Sequence, residues 1–180
     1  AAFLTAATGK PYPQGDYVNQ NGEKIGKGFA VKSFVSTGMI KPICEDAGVS
    51  LVEVPVGFKF IGEKIKQWEA DGKHTYVFGF EESCGYLRGT HARDKDAVSA
   101  SMLIAEMAAF YKNNGKTLID ALDEIYAEYG YYYDCLETFV LKGKEGAEKI
   151  QAAMKAMRES GESLFDDLEK LLDYSKGIDG

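Results

Sequence analysis

Between Phe29 and Phe80 the hydrophobic period of the chain switches repeatedly between strand-like and helix-like spacing. That alternation constrains the fold more than any other feature. Phe29–Val35 is an apolar, β-favouring run interrupted by Lys32 and Ser33, and it reads as a strand. Thr37–Ala47 reads as a short helix that stops at Gly48. Ser50–Val54 is a second strand, ended by Pro55. Lys59–Ala70 carries Ile61, Ile65 and Trp68 at i, i+4 and i+7, one face of an amphipathic helix closed by Asp71-Gly72. Thr75–Phe80 is a third strand. This order predicts an α/β fold with a mixed, largely parallel sheet packed between helices. Ligands in such folds sit beyond the carboxyl ends of the strands, so the loops after Val35, Val54 and Phe80 should share one edge.

Asp94–Asn113 is apolar through most of its turns, which predicts a helix buried on several sides. Asp94 or Asp96 is placed to cap it. Thr117 with Asp120 forms a capping-box pair for the next helix, whose inner face is Leu118, Leu122, Ile125 and Tyr129 and which Gly130 stops. Tyr131-Tyr132-Tyr133 leads to a strand candidate at Cys135–Leu141, a helix at Lys144–Met157 and a further short helix at Leu164–Leu172. The expected plan is a lead-in at 1–28, an α/β domain at 29–130, and a partial α+β segment at 131–180 that opens another domain. The chain begins with Ala rather than Met and reads as a piece of a longer protein.

With 45% hydrophobic and 27% charged residues, the 180-residue chain has a globular composition, and its net charge of −7 makes nucleic acid an unexpected partner. Three cysteines without a C-x-x-C pair fit a reduced, cytoplasmic protein, and two histidines far from them in sequence make structural zinc unexpected. No apolar run reaches membrane-spanning length.

The densest chemistry lies in FGFEESCGYLRGTHARDKDA, residues 78–97, which reads as a strand end followed by one long loop. Two adjacent carboxylates, Glu81 and Glu82, point to different sides, so at least one can face a ligand. A carboxylate accepts hydrogen bonds from vicinal hydroxyls and a serine both donates and accepts, so Glu81, Glu82 and Ser83 suit a sugar. A charged turn is the competing reading. His91, Arg93 and Lys95 can answer a phosphate or pair with neighbouring acids, and pairing is the commoner fate. Lys32, inside an apolar strand, belongs to an edge or to a site at the strand end. GFKFIGEK (57–64) fails the P-loop template because Glu63 precedes Lys64, and ESCG fails the G-x-S-x-G elbow. Cys84, flanked by acids, is no reactive thiolate.

Together VKSFVST (31–37), VGFKFIGEKI (56–65) and FGFEESCGYLRGTHARDKDA with the helix after it resemble the α-D-phosphohexomutases, in their phosphoglucomutase branch. The resemblance covers most of 29–130. It implies the third, sugar-binding domain of a four-domain enzyme, followed by the start of the fourth. Glu81 and Ser83 then match the residues that hydrogen-bond sugar hydroxyls, and Lys95 matches an active-site lysine. His91 and Arg93 share its basic segment, Lys32 matches a strand lysine that reaches substrate, and Gly57 matches a glycine that lets backbone approach the ligand. The phosphoserine T-A-S-H-N-P motif and the D-G-D-x-D-R metal loop are not found, nor is the R-x-S-G-T phosphate loop. No catalytic or metal-ligating residue is therefore assigned to this chain. Mg²⁺ and glucose 1,6-bisphosphate, as intermediate, belong to the full-length enzyme. The implied partners are a hexose phosphate and the enzyme's other domains, with no membrane. The implied reaction interconverts glucose 1-phosphate and glucose 6-phosphate, and the segment alone is expected to be inactive. A phosphomannomutase domain and a stand-alone sugar-phosphate-binding module are the alternatives.

Overall fold

The computed structural model describes residues 28–83, 85–135 and 138–164. They fall in two compact units, one reaching Tyr133 and one starting at Asp134. The first unit runs β1 (Gly28–Ser33), α1 (Ile40–Asp46), β2 (Ser50–Val54), α2 (Phe58–Asp71), β3 (Thr75–Glu81), β4 (Gly85–Arg88), α3 (Ala97–Asn113) and α4 (Leu118–Tyr129). The strand order is β2-β1-β3-β4. β1 pairs parallel with β2 and β3, and β4 returns antiparallel to β3. The mixed, largely parallel α/β sheet is thus the one expected. β4 is the addition: what reads as one long loop after Phe80 is a tight hairpin followed by a shorter loop.

β1 lies in the middle of the sheet, which excludes an edge position for Lys32. The strand ends at Ser33, two residues earlier than its composition suggests. There Phe34 N–H donates to Val54 O (3.0 Å) and Ser36 N–H to Ser33 O (3.0 Å), closing a turn.

Alternation along the strands sorts side chains onto two faces. On one face Val31, Val54, Tyr76 and Leu87 meet Phe58, Ile61, Ile65 and Trp68 of α2, forming the main core. Ile61, Ile65 and Leu87 are fully buried, each worth about 1.5–3 kcal/mol of hydrophobic stabilisation. The pairing of β1 with β3 steps from Phe29↔Tyr76 to Ala30↔Phe78, so Val77 is an extra residue. Phe78 and Phe80 therefore face away from the α2 core. With Ala30 and Tyr86 they line an apolar groove of about 470 Å³, walled by α1 and α3.

The expectation of an α3 buried on several sides is corrected. None of its residues is buried, and Val98 is 81% exposed. Leu103 and Met107 line the groove, but a helix lying on a sheet covers one face only, and no described element covers the opposite one. Asp96 is its cap, accepting from Val98 N–H and Ser99 N–H. α4 begins with the expected capping box: Asp120 N–H donates to Thr117 Oγ1 (3.1 Å) and Thr117 N–H to Asp120 Oδ2 (2.7 Å). Its buried residue is Ala121, with Leu118 and Leu122 partly exposed. Tyr129 at its end donates to Asp46 of α1 (3.1 Å).

In the second unit α5 spans Gly143–Leu164, longer than its apolar stripe suggests. The strand expected at Cys135–Leu141 is not formed by its described residues, 135 and 138–141. A single strand has no ladder partner in a unit whose described regular element is one helix, and unpaired strand backbone is unfavourable. Leu164 ends α5, and the rest of the expected 164–172 helix lies outside the described residues, as do the 1–27 lead-in and Cys84.

Candidate substrate site

The carboxyl ends of β1, β2 and β3 bring three loops to one edge of the sheet. Glu81, the last residue of β3, is 8% exposed. Its Oε1 accepts a 2.6 Å hydrogen bond from Gly57 N–H at the start of α2. Gly57 has φ 124°, a conformation that a side-chain-bearing residue adopts only under strain. The glycine thus lets the backbone turn its N–H toward the carboxylate.

Lys95 reaches the same place from the far side of the hairpin. Its Nζ lies 5.3 Å from the centroid of the Phe58 ring, one residue beyond Gly57. Its stem passes over Gly85, where a Cβ would stand 3.2 Å from both Lys95 Cδ and Glu81 Cβ. Asp94 Oδ1 accepts from Lys95 Nζ at 2.8 Å. That bond, with the nearby charges of Asp94 and Glu81, raises the ammonium pKa above its ordinary value. Glu81, Gly57 and Lys95 are therefore brought together, as a carboxylate and a cation on either side of a glycine seat.

Glu82 turns to a different loop. Its Oε2 lies 3.1 Å from Ser33 Oγ and 3.2 Å from Ser36 Oγ, and its Oε1 accepts from Ser83 Oγ at 3.4 Å. The two β1-end hydroxyls are 2.7 Å from each other. Glu82's own backbone N–H, and after it the Ser33, Ser36 and Ser83 hydroxyls, hold its carboxyl below the usual range. Ser83 itself is exposed.

Lys32 lies beneath this network, 2% exposed. Its Nζ donates to Ser36 O (2.9 Å) and pairs with Glu53 of β2 (2.8 Å). It supports the β1–α1 loop from below. His91 and Arg93 are placed differently. Arg93 is held by Glu69 of α2 and by Thr90 O. His91 Nε2 lies 2.8 Å from Asp96 Oδ2, on the cap of α3. For these two the pairing alternative describes the structure: their described partners are acids and carbonyls outside the Glu81–Lys95 cluster. Gly62 makes the Arg93 contact possible, since a Cβ there would stand 2.6 Å from Arg93 O.

Sequence reasoning did not assign Ser33, Ser36, Gly62 or Gly85 to the site. The signal available was small residues at close approaches, which becomes readable only once the strand order is known. Among the described residues no group of three His, Cys, Asp or Glu side chains is placed to hold a metal ion. His91 serves Asp96 rather than a serine. What the arrangement offers is acceptors, hydroxyls and a lysine at one edge of the sheet, the residue types that suit a polyhydroxylated anion.

Comparison with known proteins places the chain in a family. Residues 14–129 match the family model for phosphoglucomutase/phosphomannomutase, alpha/beta/alpha domain III. The chain belongs to the phosphoglucomutase/phosphomannomutase family. It is 40% identical over 128 residues to a phosphoglucomutase of Staphylococcus haemolyticus, covering 71% of this chain and 23% of that protein. It is 38% identical over 143 residues to a phosphoglucomutase of Staphylococcus aureus, covering 79% of this chain and 26% of that protein. The chain thus spans about a quarter of the curated phosphoglucomutases it matches, and it corresponds to their domain III. No described helix of the chain is long and apolar enough to cross a membrane.

Proposed function

We propose that this domain recognises the sugar of a hexose phosphate for a phosphoglucomutase that interconverts glucose 1-phosphate and glucose 6-phosphate. The observation that carries the reading is the convergence of Glu81, Gly57 and Lys95 at the carboxyl edge of the sheet, with Ser83 on the same hairpin turn. Glu81 and Ser83 bind sugar hydroxyls, and Lys95 answers the phosphate charge. Lys32 and Gly57 shape the two neighbouring loops, and His91 and Arg93 fix the basic segment that carries Lys95. A substrate that passes through glucose 1,6-bisphosphate must be held in two orientations, and side chains that accept and donate around a fixed carboxylate tolerate both. The phosphoryl-transfer groups are supplied by other domains of the parent enzyme, which we take to be cytoplasmic. The Mg²⁺ of that reaction finds no fitting ligand set among the described residues, so no step here runs through it. Residues 131–180 open the next domain.

The test is titration of the ¹⁵N-labelled chain with glucose 6-phosphate and, separately, mannose 6-phosphate. Shifts of the Glu81, Ser83 and Lys95 amides with glucose 6-phosphate support the reading. A stronger response to mannose 6-phosphate favours the phosphomannomutase alternative, and no response to either overturns both. A coupled mutase assay on the same chain should show no turnover.

A further inference from the structure

We infer that Glu82 is a positioning residue: its carboxylate latches the β3–β4 turn to Ser33 and Ser36 at the end of β1, and thereby sets where Ser83 and Glu81 meet the sugar. This rests on the reading of that turn as sugar-binding. It assigns to Glu82 a role distinct from hydroxyl recognition.

Three contacts join the Ser33 hydroxyl, the Ser36 hydroxyl and Glu82 Oε2, at 2.7, 3.1 and 3.2 Å. Two hydroxyl hydrogens serve these three contacts, so the acceptor must be able to take either or both. A carboxylate oxygen does this. Ser33 and Ser36 are 0% and 4% exposed. Ser36 is fixed further by Lys32 Nζ on its carbonyl and by its own N–H on Ser33 O. The β1 side of the latch is therefore rigid, and the exposed turn is the part that is held.

The geometry also separates positioning from stability. Without Glu82, the 2.7 Å contact between the serine hydroxyls uses one of their two hydrogens, and the other turns toward the space vacated by the exposed Glu82 side chain, where water can accept it. No buried polar group is left without a partner, so the fold loses little. The turn loses its tie to β1, and Glu81 alone, through Gly57, still holds it to the neighbouring loop. Two adjacent carboxylates thus brace the turn against two different loops, and the sugar-facing Ser83 is the next residue along.

The experiment uses the full chain in five forms: wild type, Glu82→Ala, Glu82→Gln, and Ser33→Ala/Ser36→Ala with and without Glu82→Ala. Two quantities are read, amide hydrogen exchange at residues 81–83 and the dissociation constant for glucose 6-phosphate. Glu82→Ala should speed exchange in the turn and weaken binding about tenfold, with the melting temperature nearly unchanged. Glu82→Gln, whose amide oxygen still accepts one hydroxyl hydrogen, should recover part of both. In the double-serine background Glu82→Ala should add nothing further. Unchanged exchange in Glu82→Ala overturns the latch whether or not sugar binds. A full further loss of binding in the double-serine background also overturns it, because Glu82 would then touch the sugar directly. Absence of glucose 6-phosphate binding by the wild type overturns the proposed function instead, and the exchange comparison still decides the latch.

Discussion

Glu81 accepts a 2.6 Å hydrogen bond from the backbone N–H of Gly57, so one residue proposed to bind sugar also closes the start of α2. That dual use separates it from Ser83. Glu81→Ala leaves the Gly57 N–H without its acceptor, and should cost about 1–3 kcal/mol in urea unfolding. Ser83→Ala removes an exposed hydroxyl and should stay within about 0.5 kcal/mol. Both should weaken glucose 6-phosphate binding. A Glu81→Ala chain as stable as wild type would contradict the bracing role.

Lys32 is buried, yet its described partners are two carbonyls, Ser33 O and Ser36 O, and the half-exposed Glu53. Lys32→Met keeps the aliphatic stem and removes the ammonium. It should destabilise by about 1–3 kcal/mol, between the values for exposed and buried pairs, and should loosen the β1–α1 loop. Hydrogen exchange at residues 34–39 is the readout, and unaltered protection there would refute it.

Gly62→Ala drives a methyl toward Arg93 O, 2.6 Å from the ideal Cβ position. Overpacking against backbone typically costs about 1–3 kcal/mol. The ¹H–¹⁵N spectrum should move most at residues 90–95, the segment that carries Lys95. Shifts confined to α2 would mean that the helix yields and the segment does not.

Asp96 caps α3, and its carboxyl is pulled down to about 2 from an ordinary 3.8, first by the Ser99 hydroxyl and then by His91. A folded-state value below the unfolded one stabilises the fold above pH ~3.8, and that stabilisation is lost as pH falls through about 2. Amide protection at the start of α3 should therefore decay between pH 4 and 2. Asp96→Asn, which caps without titrating there, should show a flat profile across that window. Equal decay in both would assign the effect to other carboxylates.

Burial raises the Cys44 thiol to about 11, whereas Cys135 is exposed. Because thiolate is the reactive form, iodoacetamide at pH 8 should modify Cys135 well before Cys44, as peptide mass mapping would show. Faster labelling of Cys44 would mean that the groove beside α1 opens readily.

The strand–helix alternation from Phe29 to Phe80 was readable because each element carries its own period, and the amphipathic stripe Ile61–Ile65–Trp68 is the stripe that packs. β4 was not readable. It has four residues and begins with glycine, and it exists because β3 offers it a ladder. The candidate site was legible in its residue types, and its grouping was legible in part. Glu81, Gly57 and Lys95 do converge, but they do so across a strand order that no local pattern encodes. The same is true of Glu82, whose partners lie 46 and 49 residues away in sequence. The cations show the reverse. A basic cluster beside acids pairs more often than it binds phosphate, and Arg93 and His91 are occupied by Glu69 and Asp96, whereas the resemblance alone implied a substrate role for them. The apolar content of α3 misled because composition reports what a helix could bury, not what its neighbours cover.

The extra residue at Val77 fixes the parity of everything after it. Before it, Tyr76 faces the α2 core; after it, Phe78 and Phe80 face the groove, and Gly79 sits against Ile61. Removing one residue there would exchange the two faces of the rest of β3. Phe78 and Phe80 would be driven into the closed α2 side, and Glu81 would be turned away from Gly57. The carboxyl end of β3, with Glu81, is therefore counted off from a single irregularity some four residues upstream, and a one-codon deletion at that point would erase the candidate site without touching any residue in it.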